Sequence, residues 1–87
     1  METRFYVCGL GYDKNHFSTD YERFFGDFDT YEAAYELFVK LQCKDTKEFF
    51  DNEDTTEIVI QIEECEETDD CVECIDIRNE WWVEKEA

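Results

Sequence analysis

Residues 57–63 read Glu-Ile-Val-Ile-Gln-Ile-Glu, and this alternation decides the fold class of the chain. Successive side chains of a β-strand point to opposite faces of its sheet, so Ile58, Ile60 and Ile62 share one face. Three isoleucines in that pattern predict a strand with one buried face. The buried face needs a covering layer, which must come from another part of the chain.

A second strand is predicted to follow, because residues 65–70 (CEETDD) supply turn residues and residues 71–83 are again rich in strand-forming side chains. The two strands together form a predicted hairpin. The side chains predicted to share one face of the second strand are Ile75, Ile77, Trp81 and Val83. Trp82 is then predicted to point outward, where an exposed tryptophan suits the anchor of a protein interface.

Two further strands are predicted in the first third of the chain. Residues 4–12 are rich in Phe, Tyr, Val and Leu, a composition typical of a half-buried strand. Residues 21–28 follow a polar loop at 14–20 and are predicted to pair back on the first strand.

A helix is predicted to begin after Asp29, because Asp29 and Glu32 have the spacing of a capping box. Apolar side chains then recur at helical spacing, which indicates one face packed on the sheet. They are Tyr31, Ala34, Tyr35, Phe38 and Leu41. The same capping spacing at 45–48 predicts a short second helical turn that buries Phe49 or Phe50.

The predicted order is therefore strand, strand, helix, strand, strand. This order predicts an α+β fold, in which one main helix packs on one face of an antiparallel sheet of about four strands. An 87-residue chain with three glycines and no proline shows no linker, so residues 1–87 are predicted to form a single compact domain.

The charge of the chain limits the partners that it can have. The 25 Asp and Glu residues against 8 Lys and Arg give a net charge of -17, whereas a small domain needs only about 2 to 8 charges for solubility. For a globule about 30 Å across, the excess is roughly one net charge per 1.8 Å, close to roughly one per 1.7 Å of duplex DNA. The charge opposes direct nucleic-acid binding and favours a basic protein partner.

The candidate contact surface lies on the predicted hairpin, where no lysine or arginine interrupts the acidic residues. Carboxylates on a rigid strand would meet Lys and Arg side chains that otherwise receive phosphates. The predicted members are Glu63, Glu64, Glu66, Glu67, Asp69, Asp70, Glu73 and Asp76, with Trp82 as the outward anchor. The alternative interpretation is a solvated face, or a turn kept acidic to block pairing at a sheet edge.

The cysteines raise the question of a metal site. Cys65, Cys71 and Cys74 have C-x5-C-x2-C spacing, but a C-x-x-C without a second one is a weak zinc signal. Residues three apart on a strand point to opposite faces, so Cys71 and Cys74 are not expected to share a metal. We expect no metal and no cofactor, and buried or half-buried cysteines that are not ligands.

Enzymatic activity is not expected either. His16 is the single histidine and lies in the predicted polar loop, and no nucleophile, zinc or phosphate-loop motif is present. The sequence contains no apolar stretch of signal-peptide or membrane-spanning length. The expected location is therefore the cytoplasm, without membrane association.

The length, the acidity, the α+β pattern and the acidic run CEETDDCVECID at 65–76 resemble a class of small phage and mobile-element proteins that inhibit host defence. Anti-CRISPR proteins and other DNA mimics belong to this class. The resemblance implies a cytoplasmic inhibitor in a bacterial host, whose partner is a basic nucleic-acid-binding protein such as a CRISPR–Cas nuclease. The main alternative is a small structural or regulatory interaction domain that zinc could stabilise and whose acidity serves solubility.

Overall fold

The computed structural model describes residues 2–51 and 53–85. Four strands form one antiparallel sheet in the order β2-β1-β3-β4, and one helix lies between the second and third strands in the chain. The elements are β1 (Glu2–Tyr12), β2 (Ser18–Phe28), α1 (Tyr31–Gln42), a 3₁₀ turn (Thr46–Phe49), β3 (Glu57–Glu67) and β4 (Val72–Glu84). The predicted α+β fold and element order are confirmed.

The core lies between α1 and the isoleucine row of β3. Ile58, Ile60 and Ile62 are fully buried, and they share a cluster with Phe38 and Leu41 of the helix. Burial of an isoleucine side chain contributes about 1.5–3 kcal/mol, so this row is a large part of the folding free energy. The helix-bearing side of the sheet is called the inner face below, and the opposite side is the open face.

The second face of β3 is also buried, which the sequence pattern did not predict. Val59 and Gln61 on the open face are only 1% and 7% exposed. The cause is the central position of β3, because Val59 lies between Leu10 and Trp82 in the pairing of the three strands. Neighbours on both sides cover a short side chain even where no second layer exists.

The strand pairing is regular at the centre of the sheet and irregular at both edges. β1 and β3 pair without interruption from Glu2 and Glu67 to Tyr12 and Glu57. In contrast, β2 has an extra residue at Phe25, and β4 has extra residues at Ile75 and Arg78. Bulges on edge strands twist the free edge and discourage pairing with another chain.

Because of these bulges, the prediction that one face of β4 carries Ile75, Ile77, Trp81 and Val83 is wrong. Each extra residue shifts the alternation of the strand by one position. Ile77 pairs with Glu63 and lies on the open face, whereas Trp81 and Val83 pair with Ile60 and Ile58 on the inner face. Ile75 and Ile77 are consequently 46% and 39% exposed.

The start of the helix differs from the predicted capping box. Thr30, and not Asp29, is the N-cap, and its hydroxyl accepts a hydrogen bond from the Ala33 amide at 3.2 Å. The Asp29 carboxylate forms an ion pair with Arg4 of β1 instead. A cation on a neighbouring strand therefore decides which of two adjacent residues caps the helix.

The second predicted helical turn is confirmed. Asp45 caps it, since its carboxylate accepts from the Lys47 amide at 3.0 Å. Phe49 is 5% exposed, and its ring packs edge to face against Phe25 of β2 and Trp81 of β4. This turn fixes both edge strands to the inner layer.

The molecule is longer than the sequence-based estimate of about 30 Å, with extents of 44 × 26 × 17 Å. The reason is that eleven-residue strands extend to roughly 36 Å at about 3.3 Å per residue. Dividing the longest extent by 17 net charges gives roughly one charge per 2.6 Å, so the linear charge density is lower than roughly one per 1.7 Å of duplex DNA.

Gly11 is required by the packing of β1 against its neighbours. A Cβ atom added there would lie 2.6 Å from Tyr21 Cβ and 2.8 Å from Thr55 Cγ2. Both neighbours are buried. Gly11→Ala is therefore expected to lower the free energy of unfolding by about 1–3 kcal/mol, as overpacking does.

Urea unfolding measures this loss, and Gly26→Ala is the control. An added Cβ at Gly26 would lie 3.2 Å from the Phe28 ring and 3.3 Å from Leu37 Cδ2, which are both half-buried, and these distances are longer than those at Gly11. We expect the smaller effect at Gly26. Equal stability of Gly11→Ala and the wild type would contradict this packing.

Candidate functional site

The predicted contact surface lies at the end of the β3–β4 hairpin. Strand β3 continues to Glu67, so the turn is shorter than the predicted 65–70 and consists of residues 68–71. Thr68 closes it, because its amide donates to the Cys71 carbonyl at 2.9 Å and its hydroxyl accepts from the Cys71 amide at 3.3 Å. Residues 63–76 are called the distal hairpin below.

Four of the predicted carboxylates form an array on the inner face of the distal hairpin. Glu64 pairs with Asp76, and Glu66 pairs with Glu73. Glu64 and Glu66 are two positions apart on β3, about 6.6 Å, and neighbouring strands are about 4.8 Å apart, whereas the extra residue Ile75 lies between Glu73 and Asp76 on β4. Glu73 and Asp76 are exposed, and Glu64 and Glu66 are half-buried. Strand pairing thus fixes a two-by-two arrangement of negative charges.

Glu63 and Glu67 lie on the open face and have other roles. The Tyr6 hydroxyl donates to Glu67, and this hydrogen bond raises the pKa of Tyr6 to about 12. Glu63 accepts hydrogen bonds from the Cys8 thiol at 3.2 Å and from the Gln61 amide at 3.1 Å. Both carboxylates therefore tie the distal hairpin to the centre of the sheet.

One cation reaches the array from β4. Arg78 Nη1 lies 2.6 Å from Glu64 Oε1, and its guanidinium lies 5.2 Å from the centroid of the Tyr31 ring. Within residues 2–51 and 53–85, five predicted site carboxylates have no side-chain hydrogen bond or ion pair. They are Glu66, Asp69, Asp70, Glu73 and Asp76. The end of the hairpin therefore keeps a strong local excess of negative charge.

Trp82 is exposed, as predicted, but it lies far from the distal hairpin. Its side chain is 49% exposed, its ring packs on Tyr12 with centroids 5.6 Å apart, and its indole N–H donates to Glu80 at 3.2 Å. It pairs with Val59, seven positions along β3 from Glu66, which corresponds to roughly 23 Å. The structure does not bring Trp82 together with the other predicted site residues.

The three cysteines of the predicted weak zinc pattern do not converge. Cys65 and Cys74 lie directly opposite each other across β3 and β4, whereas Cys71 lies in the turn with its Sγ 3.6 Å from Thr68 Oγ1. In the part of the chain that the structure describes, no three His, Cys, Asp or Glu side chains are placed to hold a metal ion. His16 is exposed and its Nδ1 lies 3.1 Å from Glu57 Oε1.

Sequence reasoning missed the side chains that organise the acidic residues, namely Tyr6, Cys8, Gln61 and Arg78. Tyr6 and Cys8 lie two positions apart on β1. They reach Glu67 and Glu63 only because of the register in which β1 pairs with β3. The position of Arg78 depends on a bulge. The composition of residues 4–12 predicts a half-buried strand, but it does not identify the partners of its side chains.

Comparison with protein-family models, with curated proteins and with solved structures gave no match for this chain. None of the helices in residues 2–51 and 53–85 has the length and apolar character that crossing a bilayer requires.

The thiols of the chain are predicted to react at different rates. Burial and the hydrogen bond to Glu63 raise the pKa of Cys8, and burial beside Cys74 and Glu63 raises the pKa of Cys65 to about 12. Thiolates are the reactive species. With an aromatic disulfide reagent at neutral pH, the exposed Cys43 and Cys71 should react first and Cys8 and Cys65 last.

The same pKa shifts predict how stability depends on pH. A thiol whose folded pKa lies above its unfolded value of about 8.5 stabilises the fold below that pH, and this stability is lost as the pH rises toward the folded pKa. The free energy of unfolding should therefore decrease between about pH 7.5 and about pH 9, where the thiols of the unfolded chain titrate and most tyrosine is still protonated. In the Cys8→Ser variant the hydroxyl still donates to Glu63 but does not titrate in this range. Its free energy of unfolding should therefore fall less than that of the wild type. A flat profile in the wild type would contradict the prediction.

Proposed function

We propose that the protein is a non-enzymatic inhibitor that binds the positively charged nucleic-acid groove of a bacterial defence nuclease, such as a CRISPR–Cas effector. It competes there with DNA or RNA as a polyanion mimic in the bacterial cytoplasm. The observation that carries this proposal is the group of unpartnered carboxylates on the distal hairpin, which a rigid sheet holds in place.

Physical chemistry supports a basic groove as the partner. Lys and Arg side chains that bind phosphates form charge-assisted hydrogen bonds, and carboxylates accept the same bonds. In the free protein, Glu66, Glu73 and Asp76 repel one another, and cations of a partner would relieve that repulsion. Because strand pairing already fixes their spacing, little conformational entropy is lost on binding.

The dimensions of the molecule are compatible with this mode of competition. The longest extent of 44 Å corresponds to the rise of roughly 13 base pairs at about 3.4 Å each. The chain has a lower linear charge density than duplex DNA. Local contacts at the distal hairpin, in addition to total charge, are therefore expected to determine the affinity.

We predict that neutralising the distal hairpin weakens the affinity for the nuclease at least about tenfold, because each carboxylate that meets a desolvated Arg or Lys contributes one to several kcal/mol. The variant replaces four acidic residues with their amides, which keeps the side-chain shape. It combines Glu66→Gln, Asp69→Asn, Asp70→Asn and Glu73→Gln. The measurement is the dissociation constant, together with nuclease inhibition, for purified CRISPR–Cas effectors and restriction nucleases.

A matched variant separates local contact from long-range attraction, because it changes the net charge equally at exposed positions outside the distal hairpin. It combines Asp20→Asn, Glu36→Gln, Glu48→Gln and Glu53→Gln. We expect a smaller loss, mainly in the association rate and sensitive to salt. Equal losses in both variants would remove the special role of the distal hairpin, and failure of the wild type to inhibit any of these nucleases would overturn the proposed function.

A further inference from the structure

The open face of the sheet has a groove that the acidic hairpin does not explain. It is a shallow cavity of about 480 Å³ between β2 and β3, with Cys8 and Leu10 of β1 at its floor. Glu22 and Phe24 form one wall, and Gln61 and Glu63 form the other. Gly9 and Arg23 also line it, and these eight residues define the open-face groove. The walls are two strand spacings apart, which corresponds to about 9.6 Å between their backbones.

The carboxylate of Glu63 is held in a fixed position in this groove. Its Oε2 accepts from the Cys8 thiol at 3.2 Å, and its Oε1 accepts from the Gln61 amide at 3.1 Å. An ionised carboxylate has about four acceptor sites, so both oxygens retain capacity for a further donor. Burial raises the pKa of Cys8, so this thiol keeps the proton that it donates.

The opposite wall presents an aromatic ring to solvent. The Phe24 side chain is 62% exposed, and its ring packs edge to face on Tyr6 with centroids 5.6 Å apart. Contact with Tyr6 orients the ring at the rim of the groove. Arg23 also lines the groove, but its guanidinium pairs with Asp51 and lies over the Tyr21 ring.

One chemical group matches a carboxylate on one wall, an aromatic face on the other and an apolar floor. A guanidinium is planar, forms two parallel hydrogen bonds to a carboxylate and stacks on aromatic rings. Its methylene stem packs on apolar surface. A lysine ammonium has the charge but neither the planar shape nor the two fixed donors.

We propose that the open-face groove receives an arginine side chain of the basic protein partner, with its guanidinium on Glu63 and Phe24 and its stem on Leu10. This inference rests on the proposed function, which supplies a basic partner. It adds a specific contact on the open face, and the distal hairpin supplies charge at the end of the sheet. The partner is thereby expected to contact two surfaces of the same molecule.

The test uses the full chain and two short peptides of equal charge, one alternating arginine with glycine and the other lysine with glycine. Isotope-edited NMR titration gives the affinity and the residues that are perturbed. The arginine peptide should bind about threefold or more tightly than the lysine peptide, with shifts at Cys8, Leu10 and Glu63. Equal affinity, or shifts confined to residues 66–76 at the end of the hairpin, would overturn the proposal.

Variants at the two walls are compared with matched changes elsewhere. Phe24→Ala should abolish the preference for arginine, and Glu63→Gln should weaken binding of the arginine peptide about fivefold. Phe17→Ala, at a phenylalanine that is 68% exposed in the β1–β2 turn, and Glu36→Gln on α1 should leave both properties unchanged. Phe24→Leu retains an apolar side chain without the aromatic face. If Phe24→Ala fails to fold, loss of the preference for arginine is measured in Phe24→Leu instead.

The outcomes also separate this proposal from the proposed function. If both peptides bind alike and only the distal hairpin variant loses affinity, the groove proposal fails and the polyanion mimic stands. If the arginine preference follows Phe24 and Glu63 but no nuclease is inhibited, the groove stands and its partner is a basic protein of another kind. Unchanged peptide binding in both wall variants overturns the groove proposal.

Discussion

The structure depends on the burial of one row of isoleucines against one helix. Ile58, Ile60 and Ile62 are fully buried between β3 and the α1 residues Phe38 and Leu41. This burial must outweigh the mutual repulsion of a chain with a net charge of -17. Salt screens that repulsion beyond about 8 to 10 Å, whereas the buried contacts do not depend on it. The apolar core therefore allows the rest of the molecule to remain acidic.

The same strand that forms the core also orders the acidic surface. β3 carries its isoleucines at one end and Glu63 to Glu67 at the other, and uninterrupted pairing with β1 joins both parts in a single element. Hydrogen bonds from Tyr6 to Glu67 and from Cys8 to Glu63 fix the distal part laterally. The buried core therefore also holds the carboxylates in fixed positions, because both belong to one continuous strand. A disordered acidic tail would have to lose more conformational entropy than this ordered surface to present its carboxylates in one arrangement.

The sequence predicted the fold class because its strongest patterns are local. Alternation over 57–63 and helical spacing from Tyr31 to Leu41 each identify an element without reference to the others. The faces of β4 and the cap of α1 were not predictable in this way. Bulges at Ile75 and Arg78 depend on how β4 pairs with β3, and Asp29 is diverted from the cap by Arg4 of another strand.

The candidate site was predictable in composition but not in arrangement. The acidic residues of the hairpin are evident in the sequence, yet their division between the inner and open faces follows from the register. Tyr6, Cys8 and Arg78 were not identified as their partners, since they approach only when distant strands pair. The open-face groove likewise combines residues from three strands. Each of these features depends on contacts between residues that are far apart in the chain, and the pattern of a single sequence does not predict such contacts.

Amide hydrogen exchange of the free protein measures whether the acidic hairpin is a preformed, rigid surface. Amides of 63–67 and 72–76 that pair across the strands should exchange at least about a hundredfold more slowly than those of Asp69 and Asp70 in the turn. They should exchange somewhat faster than the amides of Ile58 to Ile62. Exchange of the paired hairpin amides at the rate of an unstructured chain would contradict a preformed surface, because the carboxylates would then have no fixed arrangement.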